Sequence, residues 1–268
     1  MEDHFIVVDW DQPGTGKSYN AVPIGSLTIG RIVSDAHALI QQLLTRFHQN
    51  KMYLVGESWG TVPGILLVQR YPELFYAYVG SSQRTSCLQD DRMGYTFALK
   101  VAAERGDTAT VEKLRRDGPP PYFGSDTLWK NLDYLNVLNA YAAERIKPEG
   151  TAGLTTMMGW LGTEYGLVDK VNFFRGLLDT FTVMYPQLYA IDFSTQATRL
   201  NVPVYFIQGR WDLLEMGSLL ERWYNVLQAP HKEIIYFENS GHAPHSAEPS
   251  KFIDVMVNRL LAQTWPER

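Results

Sequence analysis

The sequence predicts an α/β fold in which a mainly parallel sheet is flanked by helices. Short, continuously apolar runs alternate along the chain with stretches whose apolar residues recur every three or four positions. Runs without a polar face are typical of strands that are covered on both sides. The predicted strands are residues 5–8, 52–55, 77–79, 202–207 and 233–237.

Amphipathic stretches supply the helices between these strands. The predicted helices are residues 28–48, 59–70, 218–227 and a last one that begins at Pro249, since proline suits the first helical position. Residues 83–200 differ, because they are mostly helical in pattern and rich in aromatic side chains. We therefore predict a core built from residues 1–82 and 201–268, with residues 83–200 inserted as a helical cap.

Composition narrows the range of partners and compartments. The chain has 268 residues, a net charge of −5 and no basic cluster, so we expect no binding to nucleic acid. Cys87 is the single cysteine, which excludes an intrachain disulfide and predicts a buried, inert thiol in a reducing compartment. No apolar run approaches the roughly 20 residues of a membrane helix. We expect a cytoplasmic protein that is not bound to a membrane.

The segment from Gly56 to Gly60 reads Gly-Glu-Ser-Trp-Gly and lies between a predicted strand and a predicted helix. This is the context of the G-x-S-x-G nucleophile elbow, in which the serine occupies a strained turn and projects from the sheet. Glycines in the motif let the strand and the helix approach closely. The pattern predicts Ser58 as a nucleophile.

A serine hydroxyl needs a base, and in this arrangement the chain order is serine, acid, histidine. His242 follows the last predicted strand in an Asn-Ser-Gly-His loop, and we predict it as the general base. Asp212 follows the preceding strand in a Gly-Arg-Trp-Asp segment and is the predicted acid that orients this histidine. Glu215 is the alternative acid, and His245 is a second candidate base.

Two other patterns are incomplete matches to known sites. Residues 14–18 read Gly-Thr-Gly-Lys-Ser, like the end of a phosphate-binding loop, but position 11 is aspartate and the next predicted helix begins about ten residues later. His242, His245 and Glu248 lack the spacing of a zinc site. We predict neither nucleotide binding nor a metal ion.

With these motifs in place, the chain resembles α/β-hydrolases of the proline iminopeptidase (prolyl aminopeptidase) group. Residues 10–18 match that group's Trp-Asp-Gln-x-Gly-x-Gly-x-Ser segment, and residues 56–60 match its G-x-S-W-G elbow. The segments that contain Asp212 and His242 are similar to the group's acid and histidine loops. The resemblance implies an α/β-hydrolase fold with a helical cap, and a serine hydrolase that needs no cofactor.

The resemblance also implies the kind of substrate. Members of the group remove an N-terminal proline and hold the free amine with cap carboxylates, so we expect a small molecule or short peptide with an apolar or proline-like part. Glu144, Glu164 and Trp160 are the candidate substrate-binding residues, although exposed surface acids are the other interpretation of both glutamates. An aminopeptidase and an esterase use the same triad, and the sequence leaves that choice open.

The family pattern contains three further strands and a His-Gly-Gly-Pro-Gly loop that have no counterpart before Met1. The backbone N–H of Trp59 is one expected oxyanion donor, and loss of its partner would cost roughly 10²–10³ in turnover. A non-catalytic relative that binds a ligand or partner is therefore the alternative function, and a longer natural chain is a third possibility. For the incomplete sheet, we expect either that residues 5–8 pair beside residues 52–55 or that a homo-oligomer covers the open edge.

Overall fold

A parallel sheet lies at the centre of the computed structural model, which describes residues 1–149 and 162–266. Within these ranges the sheet has four strands in the order β1-β2-β3-β4, and every neighbouring pair is parallel. The strands are β1 (Met52–Glu57), β2 (Phe75–Ser81), β3 (Val204–Gly209) and β4 (Lys232–Phe237). The predicted mainly parallel sheet is confirmed.

Helices cover the sheet and connect its strands. Thr28 starts α1 by accepting a hydrogen bond from the backbone N–H of Arg31 through its side chain (3.0 Å), as expected of an N-cap. The helices are α1 (Ile29–Arg46), α2 (Thr61–Arg70), α3 (Cys87–Glu104), α4 (Thr108–Asp117), α5 (Thr127–Ala143), α6 (Leu167–Leu188), α7 (Phe193–Gln196), α8 (Gly217–Val226), α9 (Pro244–Ala247) and α10 (Pro249–Asp254). α10 continues through π-helical turns at Val255–Leu261 into α11 (Ala262–Thr264).

Both faces of β2 and β3 are buried, which explains why these strands read as continuous apolar runs. On β2, Tyr78 packs with α1, α2 and α8, whereas its neighbours Ala77 and Val79 pack with the C-terminal helix. On β3, Phe206 and Ile207 divide between the same two cores. This alternation with a period of two is the geometry of a strand covered on both sides.

The helices between β2 and β3 have a core of their own. Tyr95 on α3, Leu114 on α4 and Tyr134 on α5 are buried together. α6 returns toward the sheet, since its Tyr185 and Leu188 belong to the core that contains α1, α2 and α8. The division at residues 83 and 200 stays a prediction.

The predicted strand at residues 5–8 is wrong. This segment forms no strand, and within the described ranges β1 pairs only with β2. Phe5 packs edge-on against Tyr53 at a ring distance of 5.7 Å, while Ile6 is 69% exposed. An apolar run signals burial, but a strand also needs a paired strand beside it, and no described strand pairs with this segment; the backbone N–H of Phe5 instead donates to the Met1 carbonyl at 3.2 Å. Pairing of the β1 edge with another chain stays a prediction.

None of the helices in the described residues combines the length and apolar character required to cross a lipid bilayer. The cytoplasmic location stays a prediction.

Candidate active site

The carboxyl ends of all four strands meet at one edge of the sheet, and each is followed by a polar residue of the candidate site. Register places Glu57 beside Ser81, and Gly209 beside Phe237. The residues that follow the strands are Ser58 after β1, Arg84 after β2, Asp212 and Glu215 after β3, and His242 after β4. Parallel strands thus bring distant parts of the chain to one place.

Ser58 occupies the strained turn that its motif predicts. Its φ is +48°, in the left-handed region that non-glycine residues seldom adopt, and a 3₁₀ turn (Ser58–Gly60) leads from it into α2. The Thr61 hydroxyl donates a hydrogen bond of 2.6 Å to the Ser58 carbonyl and fixes this backbone. Strain held by the surrounding structure is typical of functional sites.

The two glycines of the elbow differ in what they tolerate. A Cβ at Gly56 would lie 2.7 Å from the carbonyl oxygen of Gly60 and 3.0 Å from the Cα of Thr61, whereas a Cβ at Gly60 would meet nothing within 4 Å. The expectation that both glycines permit close approach is therefore met at Gly56 and not at Gly60.

We expect Gly56→Ala to lower the free energy of unfolding by about 1–3 kcal/mol, because backbone atoms must move to admit the methyl group. Gly60→Ala is the matched control in the same motif and should change stability little. Urea denaturation of both variants measures the difference. Equal stability of the two would contradict the close approach described above.

The acid and histidine loops are tied to each other. A Cβ at Gly209 would lie 2.0 Å from the Gly241 carbonyl oxygen, so the two backbones touch. The backbone N–H of Trp211 donates a hydrogen bond to the Ser240 carbonyl at 2.9 Å, and the Ser240 hydroxyl donates to buried Glu248 at 2.7 Å. The first two contacts set the distance between the two loops, and the third holds Ser240 in place.

His242 follows β4 and Ser58 follows β1, and these are the two outer strands of the described sheet. The histidine loop must therefore extend past the ends of β3 and β2 to reach Ser58. Ser82, at the end of β2, donates a hydrogen bond of 2.7 Å from its hydroxyl to the His242 carbonyl. This buried serine has a φ of +51°. This hydrogen bond ties the histidine loop to the end of β2.

The structure brings Ser58, His242 and Asp212 together. His242 Nε2 lies 2.8 Å from Ser58 Oγ, within hydrogen-bonding distance. On the other side of the ring, His242 Nδ1 lies 3.3 and 3.4 Å from the two carboxylate oxygens of Asp212. A proton can therefore pass from the hydroxyl to an imidazole that a carboxylate faces.

The sequence predicts Glu215 only as an alternative to Asp212, but the structure places both carboxylates beside His242 Nδ1. Glu215 Oε2 is 2.6 Å from His242 Nδ1, closer than either oxygen of Asp212. Asp212 Oδ1 accepts hydrogen bonds from the backbone N–H groups of Leu214 (3.0 Å) and Glu215 (3.1 Å). This turn points both carboxylates at one ring nitrogen.

These charges shift the pKa values of the site. Burial alone would lower the pKa of His242, but the negative charges of Glu215 and Asp212 and a hydrogen bond to Asp212 raise it well above its ordinary value. Burial alone would raise the pKa of Asp212, yet the adjacent imidazolium holds it below its ordinary value. The two carboxylates therefore favour the protonated form of the ring, and the ring in turn favours the ionised form of Asp212.

Within the described part of the chain, Asp212, Glu215 and His242 are the one group whose oxygen and nitrogen atoms, all within 4.8 Å of one another, are close enough to surround a metal ion. Each of these side chains already has a partner: the carboxylates face the imidazole, and Glu215 also contacts Arg84. We interpret the group as an ion-pair cluster. The absence of a metal ion stays a prediction.

The remaining predicted site residues have these positions. The backbone N–H of Trp59 follows the Ser58 turn, and its indole N–H donates a hydrogen bond of 3.2 Å to Gln12 in the Trp-Asp-Gln segment. Glu144 is exposed and ion-paired with Arg105 (2.7 Å) and Arg145 (3.1 Å).

Glu164 is also exposed, and Trp160 lies outside the described residues. His245 faces Glu57 at 3.3 Å. Cys87 is fully buried, and burial raises the pKa of its thiol to about 12. The predicted burial is confirmed, and the inertness of the thiol stays a prediction.

Comparison with known proteins shows the family of the chain. The family model "Serine aminopeptidase, S33" matches residues 1–114. The chain is 30% identical to the "Probable aminopeptidase YbaC" of Bacillus subtilis (strain 168) over 262 residues, which cover 96% of this chain and 80% of that protein. The chain belongs to the α/β-hydrolase superfamily, in the group that contains this relative. The resemblance found in the sequence is confirmed.

Solved structures show the same fold. The crystal structure of proline iminopeptidase from Mycobacterium smegmatis superposes with a TM-score of 0.56 at 17% identity, covering 95% of this chain and 79% of that one. Est816, described as an N-acyl homoserine lactone degrading enzyme, superposes with a TM-score of 0.59 at 16% identity, covering 93% of this chain and 80% of that one. At such identities the likeness establishes the fold alone.

Proposed function

We propose that this protein is a serine aminopeptidase that uses Ser58 as nucleophile, His242 as general base and Asp212 as the acid that orients the histidine. The observation that carries the proposal is the 2.8 Å distance between Ser58 Oγ and His242 Nε2, with Asp212 facing the opposite ring nitrogen. Ser58 Oγ attacks the acyl carbon while Nε2 takes its proton.

The same imidazolium then gives that proton to the leaving amine, and an acyl-enzyme on Ser58 remains. Water attacks the acyl carbon, again with His242 as base, and releases the acid and the free serine. The backbone N–H of Trp59, one residue after the nucleophile, is the proposed oxyanion donor. These steps use the protein's own side chains, one backbone N–H and water.

The choice of an aminopeptidase over an esterase rests on the similarity to YbaC and to the serine aminopeptidase model.

Catalysis requires a neutral His242, whose pKa is raised well above its ordinary value by Glu215 and Asp212. Turnover should therefore be lost as pH falls through this raised pKa and be highest on the alkaline side.

The test compares four substrates: alanine 4-nitroanilide, proline 4-nitroanilide, N-acetylalanine 4-nitroanilide and 4-nitrophenyl acetate. An aminopeptidase requires the free amine, so the first or second should be cleaved while the acetylated anilide is not. Cleavage of the acetate ester alone would identify an esterase instead.

A fluorophosphonate probe, which reacts with activated serines, tests the proposal independently of substrate choice. We expect folded protein to be labelled, and prior denaturation to abolish the labelling. Folded protein that is neither labelled nor active would favour the non-catalytic relative that binds a ligand with the same cleft.

A further inference from the structure

A buried arginine holds the second carboxylate of the site. Arg84 Nε lies 2.8 Å from Glu215 Oε1, and the exposed fractions of these side chains are 7% and 0%. The other oxygen of Glu215 is the one that lies 2.6 Å from His242 Nδ1. The glutamate therefore bridges a permanent cation and the candidate base.

Arg84 is itself fixed by the helices between β2 and β3. Its guanidinium donates to the Tyr185 hydroxyl of α6 at 3.4 Å, and that hydroxyl donates to Asp91 of α3 at 2.8 Å. Asp91 also lies 3.8 Å from Arg84 Nη1. Asp90, the residue before Asp91 on α3, accepts a hydrogen bond of 2.8 Å from the backbone N–H of Met216, and burial raises its pKa well above its ordinary value.

A purely structural salt bridge would not need this placement. A buried ion pair has a large desolvation cost, and an apolar pair of similar size is often as stable. Here the backbone N–H of Glu215 donates a hydrogen bond to Asp212, and the Glu215 carboxylate faces His242 Nδ1, the same ring nitrogen that Asp212 faces. The arrangement thus places a second carboxylate at the base itself.

We propose that Glu215 is a second positioning residue for His242, sharing Nδ1 with Asp212, and that Arg84 holds the Glu215 carboxylate against the ring. The inference rests on the proposed serine hydrolase mechanism and extends it. Its consequence is that the enzyme works in a more alkaline range than a triad with one carboxylate.

The sign of the pH effect follows from the charges around the ring. Two carboxylates stabilise the imidazolium, so the inactive, protonated form persists to higher pH. Of the other charged groups near this edge, Glu57 faces His245 at 3.3 Å, Arg84 faces Glu215 itself at 2.8 Å, and Asp91 lies 3.8 Å from Arg84. Removing the charge of Glu215 should therefore make His242 deprotonate at lower pH.

The first experiment measures kcat/KM against pH for the wild type and Glu215→Gln. The acidic limb, which reports the base of the free enzyme, should move to lower pH by about one unit or more. Glu238→Gln, which removes an exposed acid paired with Arg210 (2.8 Å), is the matched control and should leave the limb in place.

A second variant covers the case in which Glu215→Gln fails to fold. Arg84→Met combined with Glu215→Met replaces the buried pair with apolar side chains, a change that proteins often tolerate. Its acidic limb should shift in the same direction. A fall in melting temperature with an unshifted limb in either folded variant would mean that the pair is only structural, and would overturn the inference.

An NMR titration separates this inference from the proposed function. Long-range ¹H–¹⁵N spectra report the protonation of the His242 ring without any turnover. A lower titration midpoint in Glu215→Gln supports the pairing even if the protein has no activity, in which case only the proposed function fails. Activity in the wild type with an unchanged midpoint overturns the pairing and leaves the function standing.

Combining changes at both acids tests whether they share one role. With a single orienting acid, Asp212→Asn would lower kcat by roughly 10⁴. With two, each of Asp212→Asn and Glu215→Gln should cost much less than that, and only the double variant should approach it. A full loss in Asp212→Asn together with wild-type turnover in Glu215→Gln would contradict the shared role.

Discussion

Replacing Ser58 with alanine is expected to lower kcat roughly 10⁶-fold and to abolish labelling by a fluorophosphonate, because the attacking oxygen is lost. The fold should survive, since the hydrogen bond from the Thr61 hydroxyl to the residue-58 carbonyl uses backbone oxygen. The variant removes no buried apolar contact. Stopped turnover with an unchanged circular dichroism spectrum and melting temperature is the expected result.

Ser125→Ala is the matched control, because it removes an equal hydroxyl from an exposed loop. It should keep full labelling and turnover. Cys87 should not replace Ser58 as the nucleophile, because it is buried and burial raises the pKa of its thiol to about 12. Persistent labelling of Ser58→Ala would reject Ser58 as the nucleophile.

The order of elements could be predicted from the sequence because strands buried on both faces leave continuous apolar runs. The runs at β2 and β3 correspond to residues such as Tyr78 and Phe206, which are fully buried. Ser58 and His242 were found because short motifs mark the loops that follow strands. Both signals are local, so a single stretch of chain contains them.

What could not be predicted depends on contacts between distant residues. The segment at 5–8 has the composition of a strand, but pairing depends on a neighbour that the local pattern does not reveal. Spacing alone predicts Glu215 as an alternative to Asp212. It does not show that a turn directs both carboxylates at one ring nitrogen of His242. The role of Arg84 could not be predicted, because the sequence shows only an arginine shortly after an apolar strand and not its contact with Glu215.

The backbone contact between the acid and histidine loops provides the second large effect. A methyl group at Gly209 would lie 2.0 Å from the Gly241 carbonyl oxygen and 2.8 Å from the Ser240 carbonyl oxygen. Both are backbone atoms two residues or fewer from His242, so relief requires the loops to separate. Gly209→Ala should lower the free energy of unfolding by about 1–3 kcal/mol.

Separation of these loops should also reduce turnover, because Asp212 and His242 would move apart although neither of these two residues is changed. A displacement of about 1 Å in an active site costs roughly 10²-fold. Gly217→Ala is the matched control, since its Cβ would meet nothing closer than Tyr236 Oη at 3.7 Å at the start of α8. Urea denaturation and kcat measured on both variants distinguish loop spacing from a general cost of adding a methyl group. Full activity in Gly209→Ala would show that the backbone contact between Gly209 and Gly241 does not determine the positions of Asp212 and His242.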